Sequence, residues 1–355
     1  MIPKSIAIFV KNLTSGGAEK QAILLAKALS SDYDVHFIVF NAAKMHQKYL
    51  DLVHETPEIR LVCFNGGHIT RFKDFCTYIR QNKIELIFSY LTAANLYACL
   101  AGSITGAKVV TGLRNAELPV GKLFADRFLT NHMATLTIAN CYSGKENFIK
   151  HGFQEKKIYV IPNCFDNISS FSSKQESGTT TIITVGRFVE QKDYLTAIKS
   201  VAKAYKTHQD IRFKIIGFGK LEKEIRSWVK EEGIEDITTI LINPDNILQY
   251  LNDADIYLST SLFEGTSNSI MEGMNADLPI IATNVGDNAY LVEEGKNGLL
   301  TEKKDVEALA QAICNLVSDK DRRQQYGRYS KNLLIEKYST ETFRDRYLQI
   351  IKDIN

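Results

Sequence analysis

The chain has 355 residues, 45% hydrophobic and 24% charged, an ordinary globular composition long enough to bury two cores of conventional size. Its six cysteines (Cys63, Cys76, Cys99, Cys141, Cys164, Cys314) are widely and irregularly spaced with no C-x-x-C pair, which argues against a zinc site or a disulfide framework and fits a reducing cytoplasm. The net charge of +2 conceals an asymmetry, since residues 1–165 carry 19 Lys+Arg against 12 Asp+Glu and the remainder 24 against 29. A basic half attracts an anionic acceptor or membrane surface, and a mixed solvated surface gives the same offset. Nothing in the pattern calls for nucleic acid as a partner.

The first apolar run, residues 6–10, is far shorter than a membrane span, lacks a signal-peptide cleavage pattern and reads as a strand. Short apolar runs then alternate with stretches of helical period, predicting a parallel sheet covered on both faces, with strands at 5–10, 34–40, 59–64, 86–90, 108–113, 135–139 and 158–161. A crossover helix over 18–29 places Ala22, Leu25, Ala26 and Leu29 on one face. Residues 122–128, Lys-Leu-Phe-Ala-Asp-Arg-Phe, fit either an amphipathic helix packed on its own sheet, the favoured reading, or a contact with a lipid surface.

Residues 167–180, rich in Ser, Thr, Gln and Gly, form the expected linker between a first domain at 1–166 and a second at 181–338. Strands restart at 181–185, 212–216, 237–241, 256–259, 279–283 and 298–300, with a helix over 220–232. The expected fold is therefore α/β, two Rossmann-like doubly wound domains facing a central cleft, with ligands at the carboxyl ends of the strands. A last helix over 339–355, bearing Phe343, Tyr347, Ile350, Ile351 and Ile354, is expected to pack back on the first domain.

Four loops after strands hold the candidate chemistry. Gly16 and Gly17 open a helix and let backbone amides approach a phosphate or sugar hydroxyl, or make a plain tight turn. No G-x-G-x-x-G stands there, which weighs against a nicotinamide enzyme. The loop from Gly186 offers Arg187 and Lys192, a planar fork and a point charge suited to a diphosphate, or a solvated loop. Gly217-Phe218-Gly219 is a weaker turn signal. In the segment from Ser261 to Met274, Glu264 sits in a loop and Glu272 about two turns along a helix whose start, Thr266, Ser267, Asn268 and Ser269, presents amides and hydroxyls.

Taken in order, Ser15-Gly16-Gly17-Ala18-Glu19, Ile161-Pro162-Asn163, Val185-Gly186-Arg187 through Lys192, Gly217-Phe218-Gly219 and Glu264-x7-Glu272 resemble the retaining, GT-B-fold glycosyltransferases of the large family four, along nearly the whole chain. Pro279 to Thr283, Gly286 and the stretch from Gly295 to Leu300 extend the resemblance. It implies a UDP- or GDP-linked sugar as donor substrate, no further cofactor, and a glycan or polyprenyl-diphosphate-linked acceptor. By it Arg187 and Lys192 bind the donor diphosphate, Glu264 contacts the transferred sugar, Glu272 holds the ribose, and Gly16 and Gly17 line the donor site from the other domain. Transfer would be a same-face reaction in which the departing phosphate helps deprotonate the acceptor. No D-x-D motif stands beside a donor loop, so a metal need not bridge the diphosphate.

The chain departs from the family at Thr111 to Glu117, where many relatives have a histidine and this sequence places Arg114, followed by Asn115. Arg114 fits a sugar or acceptor-phosphate contact, or an ion pair with Glu117. The loop from Val285 to Tyr290 also differs. A cytoplasmic enzyme at the inner face of the membrane, in surface polysaccharide or glycoconjugate synthesis, is expected; a two-lobed sugar-binding protein and a nucleotide-sugar epimerase are the alternatives.

Overall fold

A computed structural model describes residues 4–14, 16–169 and 178–354, so Ser15 and most of the expected linker lie outside the described residues. The chain divides into two compact units, one formed by Met1–Asp166 with Tyr338–Asn355, the other by Asn167–Lys337.

The first unit holds seven parallel strands, β1 (Ser5–Val10), β2 (Asp34–Val39), β3 (Arg60–Cys63), β4 (Leu86–Tyr90), β5 (Lys108–Leu113), β6 (Leu136–Ala139) and β7 (Ile158–Val160), in the order β3-β2-β1-β4-β5-β6-β7. Helices α1 (Gly17–Leu29), α2 (Gln47–His54), α3 (His68–Gln81), α4 (Thr92–Thr105), α5 (Val120–Phe128) and α6 (Tyr142–Lys150) join them. The central strands β1 and β4 are buried almost end to end, as a parallel sheet with helices on both faces requires. Their register pairs Ile6 with Leu86 and Val10 with Tyr90.

The second unit repeats the plan with β8 (Thr180–Val185), β9 (Ile211–Gly217), β10 (Thr238–Ile242), β11 (Ile256–Ser259), β12 (Ile280–Thr283) and β13 (Gly298–Thr301), ordered β10-β9-β8-β11-β12-β13. Its helices are α7 (Tyr194–Tyr205), α8 (Glu222–Glu231), α9 (Ile247–Asn252), α10 (Asn268–Asn275), α11 (Asn288–Leu291), α12 (Val306–Ser318) and α13 (Lys320–Tyr338). Helix α8 starts two residues later than the sequence predicts because Gly219, at φ +149, turns the chain against Phe188 before the helix begins. In each sheet the strand order reverses once, between β1 and β4 and between β8 and β11, which is where doubly wound sheets open a crevice at their carboxyl ends.

Helix α14 (Thr340–Asp353) belongs to the first unit, burying Phe343, Tyr347, Ile350 and Ile351 in the same core as α1 and β1. Ser339 caps its start, the Oγ accepting from Thr342 N at 3.3 Å and so satisfying one of the amides that the first turn leaves unpaired.

Helix α5 follows the favoured reading of residues 122–128 only in part, since Leu123 packs against the core of Leu113, Ala139 and Phe148 while the phenylalanines do not. It buries Asp126, at 1% exposure, and turns Val120, Phe124 and Phe128 outward at 70%, 55% and 57%. Neighbouring α4 does likewise: Ala94, Asn95, Ala98, Cys99, Ala101 and Gly102 face the core, and Leu96, Leu100 and Ile104 face solvent. The small inward face of α4 lets it sit close to the sheet, with Val109 filling the space a side chain on Gly102 would need. Asp126 in turn accepts from Thr92 Oγ1 at 2.6 Å and Asn95 Nδ2 at 2.9 Å, polar bonds that hold α5 to α4 with Phe124 and Phe128 outward.

Candidate active site

In the second unit the loops leaving β8 and β11 lie side by side. Leu262 N donates to Gln191 O at 2.8 Å, Gln191 Nε2 to Phe263 O at 2.9 Å, and Thr260 Oγ1 to the carbonyls of Lys192 and Asp193 at 3.0 and 2.9 Å. These bonds bring two charged side chains together: Lys192 Nζ lies 2.6 Å from Glu264 Oε1, and Ser261 Oγ donates to the same oxygen at 2.8 Å. With 16% and 10% of their side chains exposed, the pair is less screened than a surface bridge. Desolvation offsets much of the attraction, so its main effect is to fix where the carboxylate and ammonium stand.

The glycines set the backbone around this pair. A Cβ on Gly217 would stand 1.8 Å from Gly186 O, and one on Gly286, at φ +55, would stand 2.0 Å from Glu264 O. Only glycine lets the β9 and β12 loops press this closely on the two charged loops. Tyr194, whose phenol burial holds well above its usual range, donates to Gly186 O at 2.8 Å. Arg187 leaves the same loop exposed; its carbonyl accepts from Val189 N at 2.9 Å, and its side chain makes no ion pair among the described residues.

Helix α10 starts after Glu264 with Ser267 as its N-cap residue. Thr266 and Ser267 are buried, at 8% and 2%, Asn268 is exposed, and the Ser267 and Ser269 hydroxyls are 3.2 Å apart. The positive end of this two-turn helix therefore ends the loop that carries Glu264. Gly273 packs on the ring of Tyr257, where a Cβ would come within 2.6 Å, so α10 rests directly on β11. Glu272 is half-buried beside Tyr257, whose phenol is pushed up by burial and, less, by that carboxylate.

In the first unit a cavity of 320 Å³ opens at the switch point, lined by Val10 and Lys11 after β1, Glu19 of α1, Tyr90 and Leu91 after β4, Arg114 and Asn115 after β5, and Lys122 and Asp126 of α5. Leu91 has φ 74, a region costly for a non-glycine residue, and its N donates to Gly112 O at 3.2 Å. Gly16 precedes α1, its carbonyl accepting from Tyr49 Oη at 2.9 Å, and Gly17 begins the helix. Glu19 takes the Thr14 hydroxyl at 3.0 Å. Burial pushes the Asp126 carboxyl up, against the lowering effect of its bonds to Asn95 and Thr92.

Arg114 makes no ion pair with Glu117 among the described residues. Its guanidinium lies over the Tyr90 ring, 4.1 Å from the centroid, and Nη2 donates to Tyr347 Oη of α14 at 3.0 Å. The side chain folds back along β5 and passes over Gly112, where a Cβ would lie 3.4 Å from Nε. Asn115 beside it is exposed.

Within the second unit the structure thus gathers Arg187, Lys192, Glu264, Gly186, Gly217 and the start of α10 on adjoining loops. Ser261, Tyr194 and the Gly286 contact escaped the sequence reading. Ser261 carried a signal, three residues before Glu264 and just past a strand, whereas Gly286 acts through a backbone contact that no spacing reports.

Two family models match the chain one after the other: Glycosyltransferase Family 4 over residues 15–167 and Glycosyl transferases group 1 over residues 166–333. An alpha-1,4-N-acetyl-D-galactosaminyltransferase of Campylobacter jejuni, named for an undecaprenol-PP-linked saccharide, is 24% identical over 98% of this chain and 98% of its own. A second transferase of that organism, named for a diphospho-undecaprenol-linked N-acetylgalactosamine, is 23% identical over 92% of this chain and 94% of its own. Among solved structures, Anabaena HepE in complex with UDP superposes with a TM-score of 0.85 at 20% identity, covering 98% of this chain and all of that one. The same protein with UDP-glucose gives 0.80 at 19% identity, over 98% and 99% of the two chains. The chain belongs to this family of glycosyltransferases, and its fold is the pair of Rossmann-like domains of the GT-B kind. It is an enzyme that transfers a sugar, which sets aside the sugar-binding protein and the epimerase.

The packing of Gly217 on Gly186 yields a direct test. Gly217→Ala must displace the Gly186 carbonyl, and overpacking of this kind costs about 1–3 kcal/mol. The urea unfolding midpoint is expected to fall accordingly, and an unchanged midpoint would contradict the contact.

Proposed function

We propose that the chain is a retaining hexosyl- or N-acetylhexosaminyl-transferase that moves a sugar from a UDP- or GDP-sugar to a hydroxyl of a glycan or polyprenyl-diphosphate-linked acceptor, at the inner face of the cytoplasmic membrane. The observation that carries the reading is the Lys192–Glu264 pair, held by Ser261 beside the start of α10, with Arg187 exposed on the adjoining loop.

Breaking a sugar–phosphate bond puts growing negative charge on the diphosphate and oxocarbenium character on the sugar. Arg187, Lys192 and the first amides of α10 oppose the former, and the α10 amides, fixed by the helix, cost no reorganisation as the charge develops. Lys192 can turn from Glu264 to a phosphate oxygen while the carboxylate stays on Ser261 and takes a sugar hydroxyl. Glu272, further along α10, is assigned to the ribose, and the Gly186 and Gly217 turns leave room for the nucleotide. A double displacement needs a carboxylate free to attack the anomeric carbon. Glu264 is instead assigned to Ser261 and a sugar hydroxyl, a reading in keeping with the same-face route and retention. No residue of this donor site is assigned to a metal.

The HepE complexes support UDP as the nucleotide, and the names of the Campylobacter relatives support an N-acetylhexosamine and a polyprenyl-diphosphate-linked acceptor. The outward faces of α4 and α5 support contact with the membrane that carries such an acceptor. Leu96, Leu100 and Ile104 on one helix and Val120, Phe124 and Phe128 on the other make two apolar stripes, with Lys122 exposed and Arg127 laid over the Phe124 ring at 4.7 Å. Apolar side chains bordered by cations suit an anionic bilayer surface.

Incubation with UDP-glucose, UDP-GlcNAc, UDP-GalNAc and GDP-mannose plus membrane lipid extract is expected to release nucleotide from one donor and add the matching mass to a lipid-linked glycan. Arg187→Ala and Lys192→Ala are each expected to cut that turnover about a hundredfold or more; unchanged rates in both would remove them from the donor site. In vesicle co-sedimentation, Phe124→Ser with Phe128→Ser is expected to reduce binding to phosphatidylglycerol-containing vesicles about tenfold or more, by loss of buried apolar area. Equal sedimentation of variant and wild type would rule out α5 as the contact.

A further inference from the structure

The cavity of the first unit holds a cation whose charge no carboxylate answers. Arg114 is 9% exposed and lines the cavity. Nη2 is spent on Tyr347 and one face of the guanidinium on Tyr90, but Nε and Nη1 have no hydrogen-bond partner among the described residues. The Tyr90 phenol supplies no counter-charge: burial, first of all, raises it far above its usual range. A buried charge left without partners is costly and persists where something completes it.

The rest of the lining indicates what that is. Its two carboxylates are occupied, Glu19 by Thr14 and Asp126 by Thr92 and Asn95. Its two other cations, Lys11 and Lys122, make no ion pair among the described residues. A neutral sugar hydroxyl would leave the charge uncompensated, whereas an oxyanion in the cavity answers it. The cavity, at 320 Å³, has room for a saccharide residue that bears such a group.

We propose that this cavity binds a negatively charged group of the acceptor, a carboxylate or phosphate carried on a saccharide residue, and that Arg114 is the residue that makes the enzyme select a charged acceptor. This rests on the reading of the chain as a transferase acting on a glycan. Tyr347 and Tyr90 are positioning residues: the hydrogen bond from the guanidinium and the ring beneath it hold the arginine in the cavity.

Ligand-observed NMR titrations of the full chain test this with methyl α-D-glucuronide, α-D-glucose 1-phosphate and inorganic phosphate as charged probes and methyl α-D-glucoside as the neutral one. At least one charged probe is expected to bind wild type tenfold or more tightly than the neutral glycoside. Which one binds separates a carboxylate from a sugar phosphate or free phosphate. Arg114→Gln is expected to abolish the preference and Arg114→Lys, which keeps the charge and loses the planar fork, to retain part of it. The difference between wild type and variant isolates this cavity from phosphate bound elsewhere. Should Arg114→Gln not fold, Arg114→Lys carries the comparison. Equal binding of charged and neutral probes to wild type, or an unaltered preference in the variants, overturns the proposal. UDP and GDP titrated into the same samples separate the two readings: nucleotide binding without a charge preference sinks this inference alone, and binding of neither nucleotide sinks the donor-site reading.

Discussion

The second unit is organised around one partly buried ion pair. Lys192 leaves the loop after β8 and Glu264 the loop after β11, and the two meet at 2.6 Å with Ser261 on the same oxygen. Parallel strands make such a meeting possible because all their carboxyl ends lie at one edge, and the reversal of strand order between β8 and β11 opens that edge. An unpaired carboxylate so dry would carry a large penalty, and so would the ammonium. Each therefore constrains the other's loop, and the glycines at 217 and 286 let neighbouring backbones close over both.

The first unit solves a similar problem in the opposite way. At its own switch point a cation is buried against aromatic rings, with the nearby acids already bonded to hydroxyl and amide groups. The arrangement depends on α14, because Tyr347 supplies the one side-chain hydrogen bond that Arg114 makes among the described residues. Residues far apart in the chain thus build one cavity wall. The bonds from Asp126 to Thr92 and Asn95 link that cavity to the outward apolar faces of α4 and α5, since holding the acid inward is what sends Phe124 and Phe128 outward.

Strand positions were legible almost to the residue because buried parallel strands are short, mostly apolar runs, as at Ser5–Val10, Leu86–Tyr90 and Ile256–Ser259. The charged loops were legible because glycines and ionisable residues follow directly on those runs. Helix α5 was legible in part: Leu123 packs on the core as its periodicity indicates, but a buried Asp126 takes the place beside it and leaves Phe124 and Phe128 outward. The environment of Arg114 was equally out of reach, because Tyr90 and Tyr347 stand far from it in sequence and the nearby Glu117 offered a simpler partner. Gly286 was visible as a glycine, yet its pressure on the Glu264 carbonyl is a tertiary contact with no local signature.

The most direct test is a crystal structure of the chain with an unreactive UDP-sugar analogue bound. The diphosphate is expected within hydrogen-bond distance of Arg187, Lys192 and the first amides of α10, with Glu264 on a hydroxyl of the sugar. A diphosphate seated away from those groups, with the Lys192–Glu264 pair undisturbed and no ligand upon it, would contradict it.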